Sequence, residues 1–195
     1  MNLKKALGFV SIVFVLICCV SGNKYYLFCL LAAFIHELGH IIAAKKMKIN
    51  INDFNFGVLG ARLNISGDIY SYRKEIILAA AGPAINILSA FVVYLLFGGE
   101  NSDIFIFFSI MLAFLNLLPI QTFDGGRILE CALLSCFSIN ISKIICTVIS
   151  FVFVFVLWTA SVYFLLIYSS SINLFIFSAA LFASLFVSAE NERFL

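Results

Sequence analysis

The sequence predicts an all-α polytopic membrane protein, with about six transmembrane helices and a small membrane-associated hairpin between the second and third. Three observations carry this prediction. Of the 195 residues, 64% are hydrophobic and only 11% charged, and the mean hydropathy is +1.14, more apolar surface than a soluble domain can bury. The apolar residues come in repeated runs of roughly 20, the length at which a helix crosses a bilayer. Eleven of the twelve Lys and Arg fall on one side of the alternating topology these runs define, and only Lys24 falls on the other.

Taken in order, residues 6–20 form an apolar run behind Lys4 and Lys5 and read as a retained first helix. A signal peptide cleaved near Val20-Ser21-Gly22 is the alternative. The second span covers 25–44. Residues 45–75 then hold six basic residues: Lys45, Lys46, Lys48, Arg62, Arg73 and Lys74. Within them, 53–65 shows partial alternation with Gly57 and Gly60, which reads as a short hairpin or as an ordinary cytoplasmic loop. The third span, 76–97, contains Gly82 and Pro83, pointing to a close helix contact or a kink, and Asn86, a buried polar group that needs a partner.

Residues 98–103 lack Lys and Arg and belong outside. The fourth span starts near Ile104 and is interrupted by Asn116-Leu117-Leu118-Pro119-Ile120-Gln121-Thr122-Phe123-Asp124-Gly125-Gly126-Arg127, after which helix resumes to about Phe137. Non-helical backbone at membrane depth is tolerated only when buried in protein or lining a cavity, so this break is itself a candidate site. Two last spans, 144–168 and 174–187, flank Ser169-Ser170-Ser171, and 189–195 is a polar tail. No internal repeat or linker divides the chain, which reads as one domain over 1–195.

The function classes that composition excludes are few but useful. The net charge is +2 and no basic patch interleaved with aromatics is present, so nucleic acid is not an expected partner. Cys18, Cys19, Cys29, Cys131, Cys136 and Cys146 lie in or beside apolar segments without C-x-x-C spacing and read as small apolar filler.

Chemistry enters with His36-Glu37-Leu38-Gly39-His40, in the middle of the second span. Residues i and i+4 share a helix face, so the only two histidines of the chain can present both imidazoles to one metal ion. A pair of packing histidines with a snorkelling glutamate is the competing account. It must place three polar groups in lipid, at roughly 2.5–3.5 kcal/mol for each charged one. Zinc in a hydrolase needs a third protein ligand. Asp124 is preferred because it lies in the interrupted segment, where Gly125 and Gly126 let backbone approach closely; Glu130 is the weaker candidate, and an N-cap role is the structural alternative for Asp124. Glu37 is the expected general base and Asn116 a donor to substrate backbone or oxyanion, unless it merely packs against a helix.

These residues carry a resemblance. His36-Glu37-Leu38-Gly39-His40, Gly82-Pro83-x-x-Asn86 and Asn116-x-x-Pro119-x-x-x-x-Asp124-Gly125 stand in the order found in the site-2 proteases, intramembrane zinc metallopeptidases of peptidase family M50. The six-span layout most resembles the stage IV sporulation protein FB group. Phe123 departs from the Leu usual before Asp-Gly, apolar for apolar. The resemblance implies one zinc ion per chain on His36, His40 and Asp124, with Glu37 catalytic and Asn116 and Pro119 at the substrate. Gly82, Pro83, Asn86 and Gly125 would shape the site.

It further implies cleavage of a membrane-embedded or membrane-associated protein, with regulatory membrane proteins as further partners. The place would be the bacterial cytoplasmic membrane, both termini cytoplasmic, and the role regulated proteolysis such as pro-sigma-factor activation in sporulation. Neither a PDZ nor a CBS domain is expected. The alternative function is a proteolytically silent client-binding or zinc-binding protein on the same scaffold, and an intact Glu37 argues against it.

Overall fold

The computed structural model describes residues 23–48, 54–57, 60–63, 72–168, 175–176 and 178–183. Two compact units divide the chain, Met1–Leu117 and Leu118–Leu195.

In the first unit, α1 (Lys24–Lys46) starts at Asn23, whose side-chain oxygen accepts from the Tyr25 N–H at 3.0 Å and so satisfies one of the open helix donors. It stops at Met47, followed by Lys48 at φ 56°, a left-handed residue that turns the chain out of the helix. Strands β1 (Phe54–Gly57) and β2 (Gly60–Leu63) pair antiparallel, with Phe54 opposite Leu63 and Gly57 opposite Gly60. This is the hairpin read from the alternation of 53–65.

Helix α2 (Tyr72–Leu96) is joined to α3 (Glu100–Asn116) by residues 97–99 alone. Gly99 at φ 105° makes the reversal, a conformation that side-chain-bearing residues rarely adopt. Both helices begin four residues before the apolar pattern does, because their first turns are polar.

Each of these three helices packs against the other two. Their buried positions are mostly small: Ala32, Gly39 and Ala44 on α1, Ala79, Gly82 and Ala90 on α2, Ser109 and Ala113 on α3. Large apolar side chains such as Phe34, Ile42, Phe91, Leu95 and Phe114 are exposed instead. Lipid is as apolar as leucine, so membrane helices gain by close backbone approach at small residues and leave their bulk facing the tails. Lys24 Nζ and Glu100 Oε1 pair at 2.5 Å, tying the first turns of α1 and α3 on one side of the unit. Both are exposed, so the pair contributes little to stability.

The second unit begins with the predicted interruption. After the turn 117–123 come α4 (Asp124–Leu134) and α5 (Ile139–Tyr168). Ile120, Val154 and Leu181 form its buried core, with Leu118, Phe123, Leu157 and Phe182 against them. The exposed backbone of the turn is met by α5. Ser150 Oγ accepts from the Gln121 N–H at 3.0 Å and donates to the Pro119 carbonyl at 3.5 Å, while Gln121 Nε2 donates to Thr147 Oγ1 at 3.1 Å. Hydroxyls on a neighbouring helix thus supply the partners that a helix would have found within itself. Ser161 and Ser178 share a buried hydrogen bond of 2.7 Å.

Among the described residues, three helices are long and apolar enough to cross a membrane: Lys24–Lys46, Tyr72–Leu96 and Ile139–Ile167. Helix α3 has 17 residues, about 25 Å of rise. The expected first span at 6–20 lies outside the described residues, and of the last, 174–187, only 175–176 and 178–183 are described, as helix. The polar tail and the proposed cleavage point near Ser21 also lie outside them.

Candidate metal centre

The first unit brings together His36, His40, Gly82, Pro83 and Asn86. His36 and His40 lie one turn apart on α1, and their rings meet edge-on with centroids 4.9 Å apart. Their Nε2 atoms are 3.2 Å apart. Two nitrogens bound to one tetrahedral zinc at about 2.0–2.1 Å would be about 3.3 Å apart, so the pair fits the ion.

Proton placement supports the same reading. His40 Nδ1 is 2.9 Å from the Leu78 carbonyl, which can only accept, so Nδ1 carries the proton and Nε2 presents a lone pair. The backbone carbonyl fixes both tautomer and ring orientation, as the outer partners of metal-bound histidines do. His36 is buried, 5% exposed, and its Nδ1 faces Asn86 Nδ2 at 3.5 Å.

Helix α2 can come this close because of what it lacks. A Cβ on Gly82 would sit 2.4 Å from His40 Nε2 and 2.7 Å from His36 Nε2, so hydrogen at this position leaves the space the two nitrogens converge on. A Cβ on Gly39 would lie 2.6 Å from the Ala81 carbonyl oxygen, which sets the contact distance of the two helices. Pro83, buried inside α2, has no N–H to give to the Ala79 carbonyl. The sequence reading of Gly82-Pro83 as a close helix contact is therefore met at the histidines themselves.

Glu37 follows His36 on α1 and is exposed. Asn116 is the last residue of α3, where its Nδ2 donates to the Leu112 carbonyl at 3.0 Å. An amide has a second N–H and an oxygen beyond that bond.

In the second unit, Pro119 lies in the turn and Asp124 opens α4 as its first helical residue, 8% exposed. The N-cap position itself belongs to Phe123, which makes no side-chain capping bond. Its Oδ1 is 3.8 Å from Arg127 Nη1, one turn on. Gly125 and Gly126 are buried behind it, and a Cβ on Gly126 would collide with the Ile120 carbonyl oxygen at 2.1 Å, so glycine lets α4 start against the turn. Glu130, the weaker ligand candidate, lies half-buried further along α4.

Three contributors carry no signal of their own in the sequence. The Leu78 carbonyl is backbone and leaves no residue-type signal. Ser150 and Thr147 are single hydroxyls in a long apolar helix, and their role depends on a turn distant in sequence.

A transmembrane scaffold bearing H-E-x-x-H on a helix, its imidazoles converging on one point, defines the metallopeptidase class. The family model described as Peptidase family M50 matches residues 25–102 and 100–160. The chain belongs to peptidase family M50, whose proteases are zinc-dependent. Among solved structures it is similar to the site-2 protease from Methanocaldococcus jannaschii, at 20% identity and a TM-score of 0.61, over 92% of this chain and 86% of that one. No curated protein matches the chain. The likeness in structure speaks for the fold. The family and the apolar helices together make this a membrane protein of the metalloprotease class.

Proposed function

We propose that the chain is an intramembrane zinc metalloprotease of the site-2 type, hydrolysing a peptide bond of a membrane-embedded or membrane-associated protein. The observation that carries this reading is the pair of converging imidazole nitrogens, 3.2 Å apart, on a helix apolar enough to span a bilayer. His36 Nε2, His40 Nε2 and an Asp124 carboxylate oxygen would hold the ion. Zinc, when bound, supplies the Lewis acidity that makes water nucleophilic near neutral pH.

Glu37 takes a proton from the attacking water onto its carboxylate as the water oxygen bonds to the carbonyl carbon. The same proton then passes from Glu37 to the departing amine nitrogen as the C–N bond breaks. Asn116 donates its remaining N–H to substrate backbone or to the developing oxyanion. An intact substrate helix hides its carbonyls, so the substrate must unwind to react. The β1–β2 hairpin, a two-stranded sheet among the described residues, offers one place for an extended segment to pair.

The order of the three motifs, and the resemblance of the six-span layout read from the sequence to the stage IV sporulation protein FB group, support a regulated role. On this reading the substrate is a pro-sigma factor cleaved during sporulation, and regulatory membrane proteins control access. The distribution of Lys and Arg supports a cytoplasmic placement of both termini, and the resemblance supports a bacterial cytoplasmic membrane.

The test is reconstitution in liposomes with a panel of tagged membrane substrates, before and after a zinc chelator. At least one substrate is expected to be cut, cleavage to stop on chelation, and zinc to restore it. Cleavage that persists in zinc-free enzyme contradicts the proposal.

A further inference from the structure

Asn86 is wholly buried, and its Oδ1 has no hydrogen-bond partner. Its Nδ2 instead faces His36 Nδ1 at 3.5 Å. An unpaired amide oxygen in a membrane interior is costly, so its presence beside a histidine calls for a reason.

Two proton placements on the imidazole pair fit these contacts. His40 must keep its proton on Nδ1, because that atom donates to Leu78. His40 Nε2 is then an acceptor, and the 3.2 Å contact is a hydrogen bond only if His36 Nε2 carries the proton. His36 Nδ1 is in that case an acceptor, and an N–H of Asn86 is the right group to face it. Zinc needs the reverse: a lone pair on His36 Nε2, hence the proton on Nδ1. Asn86 Nδ2 would then oppose an N–H. A half-turn of the amide exchanges nitrogen for oxygen within the same volume, replaces that opposition by a hydrogen bond and gives Oδ1 its partner.

We infer that Asn86 is a positioning residue whose amide, able to face His36 with either its nitrogen or its oxygen, presents Oδ1 to His36 Nδ1–H and so holds His36 with Nε2 free for zinc. The inference rests on the zinc reading proposed above. The two histidines are held in different ways: His40 by a fixed carbonyl that permits one tautomer, His36 by a side chain that can serve both.

The experiment is zinc affinity of the purified, detergent-solubilised full chain, by competition with a chromophoric chelator, for Asn86→Asp, Asn86→Leu and Asn86→Ala. Size exclusion and thermal unfolding establish that each variant is folded. Aspartate can only accept, so Asn86→Asp is expected to bind zinc within a fewfold of wild type. Asn86→Leu and Asn86→Ala lose the outer partner and are expected to bind ~10–100-fold more weakly. A purely structural Asn86 would not separate acceptor-retaining from acceptor-lacking variants in this way. Wild-type affinity in both folded apolar variants would overturn the inference, as would an Asn86→Asp loss equal to that of Asn86→Leu. His40→Ala is the control: if it binds zinc as tightly as wild type, the zinc site itself, and not the role of Asn86, is what fails.

Discussion

Gly82→Ala is expected to abolish tight zinc binding while leaving the protein folded. The added Cβ would stand 2.4 Å from His40 Nε2 and 2.7 Å from His36 Nε2, well inside van der Waals contact. What it meets are the far ends of two side chains, which can swing aside, and not backbone. The three-helix unit therefore survives. Alanine is also favoured over glycine inside a helix by ~1 kcal/mol, so thermal stability should hold or rise. The imidazoles, once displaced, no longer converge, and zinc content should fall below about a tenth of the wild-type value, given the one ion a site of this kind takes.

Gly39→Ala is the instructive contrast. Its Cβ would meet the Ala81 backbone oxygen at 2.6 Å, and backbone cannot swing aside, so the loss there is of stability. Metal analysis and a melting curve on both variants separate the two outcomes. Full zinc retention in Gly82→Ala would mean that the two nitrogens do not hold the ion.

Asp124→Ala is expected to weaken zinc binding by at least about a hundredfold, more than outer-partner losses cause, because on the proposed assignment a ligand itself is removed. Glu130→Ala is expected to leave it unchanged. Asp124 also places a negative charge in the first turn of α4. Removing that interaction with the helix N-terminus costs about 0.3–1 kcal/mol, and loss of the Arg127 pair adds to it, so a melting curve on the variant separates unfolding from metal loss. Chelator competition on the two variants checks the assignment, and the opposite ranking would make Glu130 the third ligand.

Much of this site was legible in the sequence because its chemistry is written in local spacing. His36 and His40, four apart on a helix, fall on one face, and the structure shows them edge to edge. Asn86 was marked as a buried polar group needing a partner, and His36 is that partner. The interruption between Asn116 and Asp124 is legible because Pro119 does not continue a helix, whereas Gly125, Gly126 and Arg127, read as part of the break, belong to α4.

What the sequence could not show lies between segments. The Leu78 carbonyl that orients His40 carries no residue signature. Gly82 reads as a helix contact from its size alone, whereas its nearness to two imidazole nitrogens depends on how α1 and α2 are rotated. The hydroxyls of Ser150 and Thr147 take their meaning from a turn some 30 residues earlier. Helix starts were misplaced for a simpler reason: Tyr72-Arg73-Lys74-Glu75 and Glu100-Asn101-Ser102-Asp103 are helical but polar, so an apolar pattern begins one turn too late.

The central claim is that Glu37 acts on water at a zinc ion held by its neighbours, and one comparison tests it most directly. Wild type and Glu37→Gln are purified side by side, their zinc is quantified, and cleavage of the same reconstituted substrate is timed. Glutamine keeps the shape but cannot take up the proton. The account predicts about one zinc per chain in both preparations and a ~10²–10⁴-fold slower cleavage by the variant. Undiminished cleavage by Glu37→Gln would contradict it.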